Sequence, residues 1–300
     1  MSKNREPVNY KLFYQVARLY KNYLYLNTNA KDISHSYFGD RVFENIPITA
    51  EKPNTSEKNV LGETYLVWND LIDSLQSTGT FENIYSLLFF LEIVSVGRKL
   101  LYRGQVNDGW ELVSSLQRYK GKGNSDLNRL DELKKTFIDH VHNLPDRRHF
   151  VLVESEAEAL CQHYGFPTDY IDFTWDANIA GFFALGGWRR YRYYEDIQNK
   201  YGAIWAIDVQ GDMSEALEII TLPSQIMRPT LQKGEFVNFN SLRAVQNQLK
   251  ISKFTFAHEE NLWISDLYDM SPSDNISLVY YLMPHRDPIE EIAKQYLSNL

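Results

Sequence analysis

The sequence predicts an α+β fold, with a mixed central sheet flanked by helices and preceded by a helical N-terminal leader. Strand-like and helix-like patterns alternate irregularly, unlike the regular alternation of a doubly wound fold. Residues 155–164 form a helix with both ends marked. Ser155 and Glu158 fit the S-x-x-E capping box, Gly165 supplies a left-handed terminal residue, and Pro167 prevents continuation. Residues 201–209 form a strong strand, with Ile204, Ala206 and Val209 among its apolar positions.

The elements follow from the N-terminus. Residues 1–60 comprise the leader and a linker. Leu12, Phe13, Val16, Leu19, Tyr20 and Tyr23 recur at helical spacing, with Lys11, Arg18 and Lys21 among them. Such a stripe docks on its own domain, and a membrane surface is the other reading. Residues 49–59 are polar and breaker-rich, as expected of a linker. The main domain covers 61–260. It opens with a short strand at 64–68 and a helix capped by Asn69 or Asp70 that runs to Gln76. A helix at 81–96 follows, then a strand at 99–103 that ends at Gly104. Leu127, Leu130, Phe137 and Val141 share one face of a helix at 126–142. The 155–164 helix carries Ala157, Leu160, Cys161 and Tyr164 as its apolar stripe. A short strand at 170–173 leads to a helix capped by Thr174 or Asp176, whose Ala177, Ala180, Gly181 and Ala184 permit close packing. Residues 261–300 form an extension with a strand at 277–282 and a helix from Asp287.

Composition narrows the function classes. A hydrophobic fraction of 44% argues against wholesale disorder. The net charge of −8 disfavours non-specific nucleic-acid binding by the whole surface. Cys161 is the single cysteine, so no internal disulfide can form. The N-terminus lacks a signal-peptide pattern, and no apolar run reaches the ~18 residues needed to cross a bilayer. The expectation is a cytoplasmic protein without a membrane partner. The sequence is silent on oligomeric state.

Two segments concentrate chemistry. In Tyr102-Arg103-Gly104-Gln105 the guanidinium stands at a strand end, with donors suited to phosphate or carboxylate. Gly104 allows close approach of a ligand or of backbone. The structural alternative pairs Arg103 with a carboxylate such as Asp172. The second segment runs from Gln162 to Thr174. His163 lies at a helix C-terminus, where the dipole favours its charged form, and a helix C-cap is its structural alternative. Thr168 follows a proline-stiffened turn. Asp172 lies on a short strand, either in a site or holding the loop. Thr174 opens a helix whose N-terminus could accept an anion. Other signals are weaker. Residues 188–194 interleave three Arg with aromatics, a pattern shared by single-strand nucleic-acid binders and by packed basic helix ends. His140 and His142 point in different directions on a helix. Zinc spacings and phosphate-cradling Gly-rich loops are lacking in the sequence. Cys161 reads as core.

Several motifs occur in order: Tyr102-Arg-Gly-Gln105, Trp110, the run from Leu112 to Arg118, Gln162-His-Tyr-Gly-Phe-Pro-Thr168, Asp172-Phe-Thr174, and the run from Ala180 to Ala184. Together they resemble the FRG domain family, named for its Phe/Tyr-Arg-Gly motif. The similarity spans roughly residues 64–258 and includes a later element of Arg228, Gln232, Gly234 and Phe236. Asp169, Phe173 and Ala177 stand where the family usually has a basic residue, Trp and Pro. The motif order resembles the ADP-ribosyltransferase fold. That resemblance implies NAD as substrate, with Arg103 on its phosphates or nicotinamide ribose. It places His163 and Thr168 beside the dinucleotide, and Gln232 or Glu235 in the position of the late acid or amide. Tyr102, Gly104, Gln105, Tyr164, Asp172, Thr174 and Arg228 complete the expected ligand contacts. An amide stabilises the developing ribosyl cation less than a carboxylate would. The implied function is an ADP-ribosyltransferase or NAD glycohydrolase in bacterial defence or toxicity, with a protein or nucleic-acid acceptor in the transferase case. The alternative is a non-catalytic module that senses a nucleotide or a partner. A third reading uses Asp172, Asp176 and His163 for hydrolysis, with or without a metal.

Overall fold

The computed structural model describes residues 80–95, 98–123, 126–144, 151–186, 200–210, 215–258, 282–283 and 287–300. The leader, the linker, the 64–76 elements, the 188–194 segment and all but the last residue of the 277–282 strand lie outside the described residues. The strands are β1 (Thr80–Phe81), β2 (Leu100–Gln105), β3 (Tyr170–Thr174), β4 (Tyr201–Asp208), β5 (Ile219–Thr221), β6 (Gly234–Asn238) and β7 (Ile251–Ala257). They form one sheet in the order β1-β7-β4-β2-β3-β6-β5. The β1–β7 pair is parallel and every other pair antiparallel, so the sheet is mixed and the fold α+β, as expected.

The helices are α1 (Ile84–Ser95), α2 (Ser115–Gly121), α3 (Leu127–His142), α4 (Glu154–His163), α5 (Ala177–Ala184), α6 (Met227–Leu231), α7 (Phe239–Val245) and α8 (Pro288–Leu297). Hydrophobic all round, α1 packs on α5 and β7, and its Leu87, Phe89 and Phe90 are fully buried. Helices α3, α4 and α8 share a core built on Phe137, Leu160, Phe166, Ile289 and Ile292. A second core joins Ile171, Ile207 and Val237 of the sheet to Leu242 of α7. None of the described helices is long and apolar enough to cross a membrane.

Two terminal signals behave differently from expectation. Helix α4 starts before Ser155. Its N-cap is Val153, whose N–H donates to the Glu156 carboxylate at 2.9 Å. Glu158 is engaged elsewhere, accepting from Lys134 Nζ at 2.7 Å. The helix end follows the sequence closely. Gly165 has φ +96°, Phe166 N–H donates to Cys161 O, and Gly165 N–H donates to Gln162 O. This is the Schellman arrangement, and it fixes the direction in which the chain leaves α4. At the start of α5, Asp176 is the cap, accepting from Asn178 N–H at 2.9 Å, while Thr174 Oγ1 accepts from Asp176 N–H. At the start of α8, Asp287 caps by accepting from Ile289 N–H at 3.0 Å.

Candidate functional site

The sheet nearly divides at its centre. β2 pairs with β4 along its whole length, and β3 does the same with β6. Between β2 and β3 a single register pair remains, Tyr102 opposite Thr174. Past that point Arg103 takes over from the backbone ladder. Its Nη1 donates to the Asp172 carbonyl at 2.7 Å and lies 3.6 Å from Asp172 Oδ2. A cleft of about 950 Å³ lies along this seam and is lined by residues of both strands.

The 162–174 segment reaches the cleft because α4 ends in a tight turn and the chain returns at once as β3. Gln162 is the organiser. Its Nε2 donates to Asp172 Oδ2 at 2.7 Å, and its Oε1 accepts from Ser115 Oγ at 2.7 Å and Thr168 Oγ1 at 2.8 Å. The amide therefore has one allowed orientation, and it aims Asp172. Asp172 feels burial, which pushes its pKa up. His163, Arg103 and Gln162 together outweigh burial and hold the carboxyl below its usual range. It is ionised at neutral pH.

His163 departs from expectation. The helix dipole favours its charged form, but burial lowers its pKa and nearby Arg228 adds to that effect, with Asp172 opposing. The side chain is only 5% exposed, so desolvation dominates and the imidazole is neutral. Its Nδ1 faces Asp172 Oδ1 at 3.8 Å. The ionised carboxylate draws the ring proton to Nδ1 and leaves Nε2 a bare acceptor. Nε2 is buried and has no hydrogen-bond partner among the described residues.

Three guanidinium groups line the cleft: Arg103, Arg118 and Arg228. Burial pulls the Arg103 pKa down against the opposing effect of Asp172. Arg118 is lowered first by burial and next by the charge of Arg103, so the two cations repel. Arg228 packs over the Tyr164 ring, 5.6 Å from its centroid, and lies 3.8 Å from Glu290. Carboxylates on the lining are fewer, Asp172 and Glu111. The Arg103–Asp172 pair is not sealed: the side chains are 19% and 38% exposed. Mutually repelling cations on an open concave wall favour an anionic ligand.

Arg103, His163, Asp172, Arg228, Gln232, Tyr102, Gly104, Gln105 and Thr174 all line this cleft. Three expected site residues do not. Thr168 is fully buried, and its hydroxyl donates to Gln162 and accepts from Tyr170 N–H, so it braces the turn. Tyr164 lies beneath, its hydroxyl donating to Asp287 Oδ2 at 2.7 Å. Glu235 alternates with Gly234 and Phe236, which line the cleft, and so points to the other face of β6. There it accepts from Trp175 Nε1 at 2.7 Å and Thr221 Oγ1 at 2.6 Å. Gln232 is on the lining, but its Nε2 is spent on Leu282 O at 2.7 Å. Gly104 has a role other than ligand approach. A Cβ there would overlap the Ala180 carbonyl, so the glycine lets α5 lie against β2. Sequence reasoning quoted Trp110, the run from Leu112 to Arg118 and Gln162 as motif positions without giving Trp110, Ser115, Arg118 or the Gln162 amide a site role, and it passed over Glu111. Their role depends on contacts across the 106–118 connection, and periodicity carries no signal for those. Among the described residues, no group of three or more His, Cys, Asp and Glu is placed to hold a metal ion.

The fold and site define an α+β protein with an arginine-lined cleft at a split sheet seam. Residues 98–191 match the family model of the FRG domain. That span holds Arg103, Arg118, Gln162, His163 and Asp172, while Arg228 and Gln232 lie beyond it. No curated protein and no solved structure matches the chain.

Proposed function

We propose that the cleft binds a phosphate-bearing nucleotide, with NAD as the first candidate. The supporting observation is the facing of Arg103 and Arg118 into one open cleft with few carboxylates to neutralise them. A ligand present at 100 times its Kd stabilises the folded state by about 2.7 kcal/mol. NAD or ADP-ribose should therefore raise the melting temperature by several degrees. R103A and R118A should each remove the shift. Because Arg118 is exposed at the surface, R118A tests the site without disturbing a core. Unchanged melting with both compounds at millimolar concentration would sink the proposal.

A second reading, cleavage of NAD, is favoured by the ionised Asp172 on the cleft wall. The C1′–N bond would break with its electron pair leaving on nicotinamide, which departs neutral. Positive charge then builds on the ribose, and a nearby carboxylate stabilises it. Water or an acceptor hydroxyl adds to C1′ and releases its proton to solvent at the mouth of the open cleft. With Glu235 on the other face, the lining carboxylates are Asp172 and Glu111, and Asp172, held in place by Gln162, is the one this reading uses. Nicotinamide release followed by chromatography tests it. D172N should abolish release yet retain binding. Binding without release under any condition would leave a nucleotide sensor. The bacterial defence or toxicity role is likewise our inference, resting on the FRG resemblance.

A further inference from the structure

The connection from β2 to α2 carries Trp110, which lines the cleft and is 48% exposed. Burying an indole is favourable, and leaving one in water has a cost. Trp110 differs from the other exposed tryptophan among the described residues, Trp175, which is 41% exposed. Trp175 donates its Nε1 to Glu235 and does not line the cleft. The Trp110 indole has no ring or hydrogen-bond partner among the described residues.

Its backbone, by contrast, is fastened on both sides. Lys253 Nζ donates to the carbonyls of Asp108 and Trp110, while its ammonium sits 4.9 Å from the Trp205 ring centroid. Asp108 N–H donates to Tyr201 O at 3.1 Å, and His258 Nε2 lies 3.0 Å from Val106 O. Gly109 N–H donates to Asn107 Oδ1 at 2.8 Å, and Trp110 N–H donates to Asn107 O at 3.2 Å. A large flat side chain is thus held into a cleft by a fixed backbone, a placement that lowers the ordering cost of binding.

We propose that Trp110 is the base platform of this site: the heterocycle of a nucleotide stacks on its indole while the phosphates lie toward the arginines. This rests on the nucleotide reading above and adds a specificity element to it. Ribose phosphate alone would meet the arginines but forgo the stacking.

The test uses the full chain with AMP and ribose 5-phosphate as calorimetric probes, in wild type, W110A and W110F. Base–aromatic stacking predicts that wild type binds AMP about tenfold more tightly than ribose 5-phosphate. W110A should bring AMP down to the ribose 5-phosphate level, and W110F should keep most of the preference. If W110A binds AMP as wild type does, the platform is refuted while the phosphate site stands. If neither probe binds wild type, the nucleotide reading fails and the platform with it. Because Trp110 is half exposed, W110A should melt as wild type does, and that control separates lost stacking from lost folding.

Discussion

His163 shows how two local rules compete at one residue. A helix C-terminus stabilises imidazolium by at most ~2 kcal/mol in favourable partly buried geometry. Desolvation of a side chain that is 5% exposed acts the other way and wins. The folded-state pKa is depressed, so the unfolded chain takes up the proton first as pH falls. Stability is then lost below about pH 6.5, by up to about 1.4 kcal/mol per pH unit, until the folded state also protonates. Asp172, also depressed, contributes stability that is present above its unfolded value and lost in a more acidic range near pH 4 and below. His258, also depressed by burial, and Glu235, raised by burial, titrate in or toward the same range, so it is the difference between wild type and His163→Asn from pH 7 to pH 5 that isolates His163. Wild type should lose stability across that range, and His163→Asn should be flatter. Parallel curves would mean that the fold leaves the pKa of this histidine at its unfolded value.

At the scale of elements, the helices were legible where their ends are written in local chemistry. The Gly165 turn and the Asp176 and Asp287 caps are read from neighbouring residues, and α3 from its apolar face. Less legible were β5, β6, β7 and helices α6 and α7. β5 and α6 are short, and burial on β7 alternates with half-exposed positions set by its partners β1 and β4. Gly104 marks the limit. A glycine near a strand end is compatible with a ligand, a bend or a packed helix, and the choice depends on α5, more than seventy residues away. The structure makes that choice testable. A Cβ at Gly104 would overlap the Ala180 carbonyl and lie 2.7 Å from Ala184 N, both backbone atoms of a packed helix. At Gly234 the nearest contact would be 3.3 Å. Chemical denaturation should find Gly104→Ala destabilised by ~3 kcal/mol or more, at or beyond the upper end of overpacking costs. Gly234→Ala should stay within about 1 kcal/mol of wild type. Equal effects would show that α5 can retreat from β2 without penalty.

At the scale of the molecule, the cleft is held partly from the far end of the chain. Asp287 uses one carboxylate oxygen to cap α8 and the other to receive the Tyr164 hydroxyl. Glu290, one turn into α8, approaches Arg228, whose guanidinium in turn covers the Tyr164 ring. Residues 287–290 thus brace the lower wall of a cleft whose chemistry comes mainly from 103–172. Asp287 is 8% exposed, so both of its bonds are shielded from water. Removing it has two separable costs. Loss of an N-cap costs about 0.5–2 kcal/mol. Loss of the hydrogen bond from the Tyr164 hydroxyl costs about 0.5–1.5 kcal/mol. Asp287→Ala should therefore destabilise the chain by roughly 1–3.5 kcal/mol in denaturant unfolding. Tyr164→Phe removes only the second bond and should cost about 1 kcal/mol. In the double variant the shared hydrogen bond is lost once rather than twice, so its cost should fall below the sum of the two single changes by about 1 kcal/mol. Strict additivity would show that Asp287 and Tyr164 do not act together, and α8 would then support its own core without bracing the cleft.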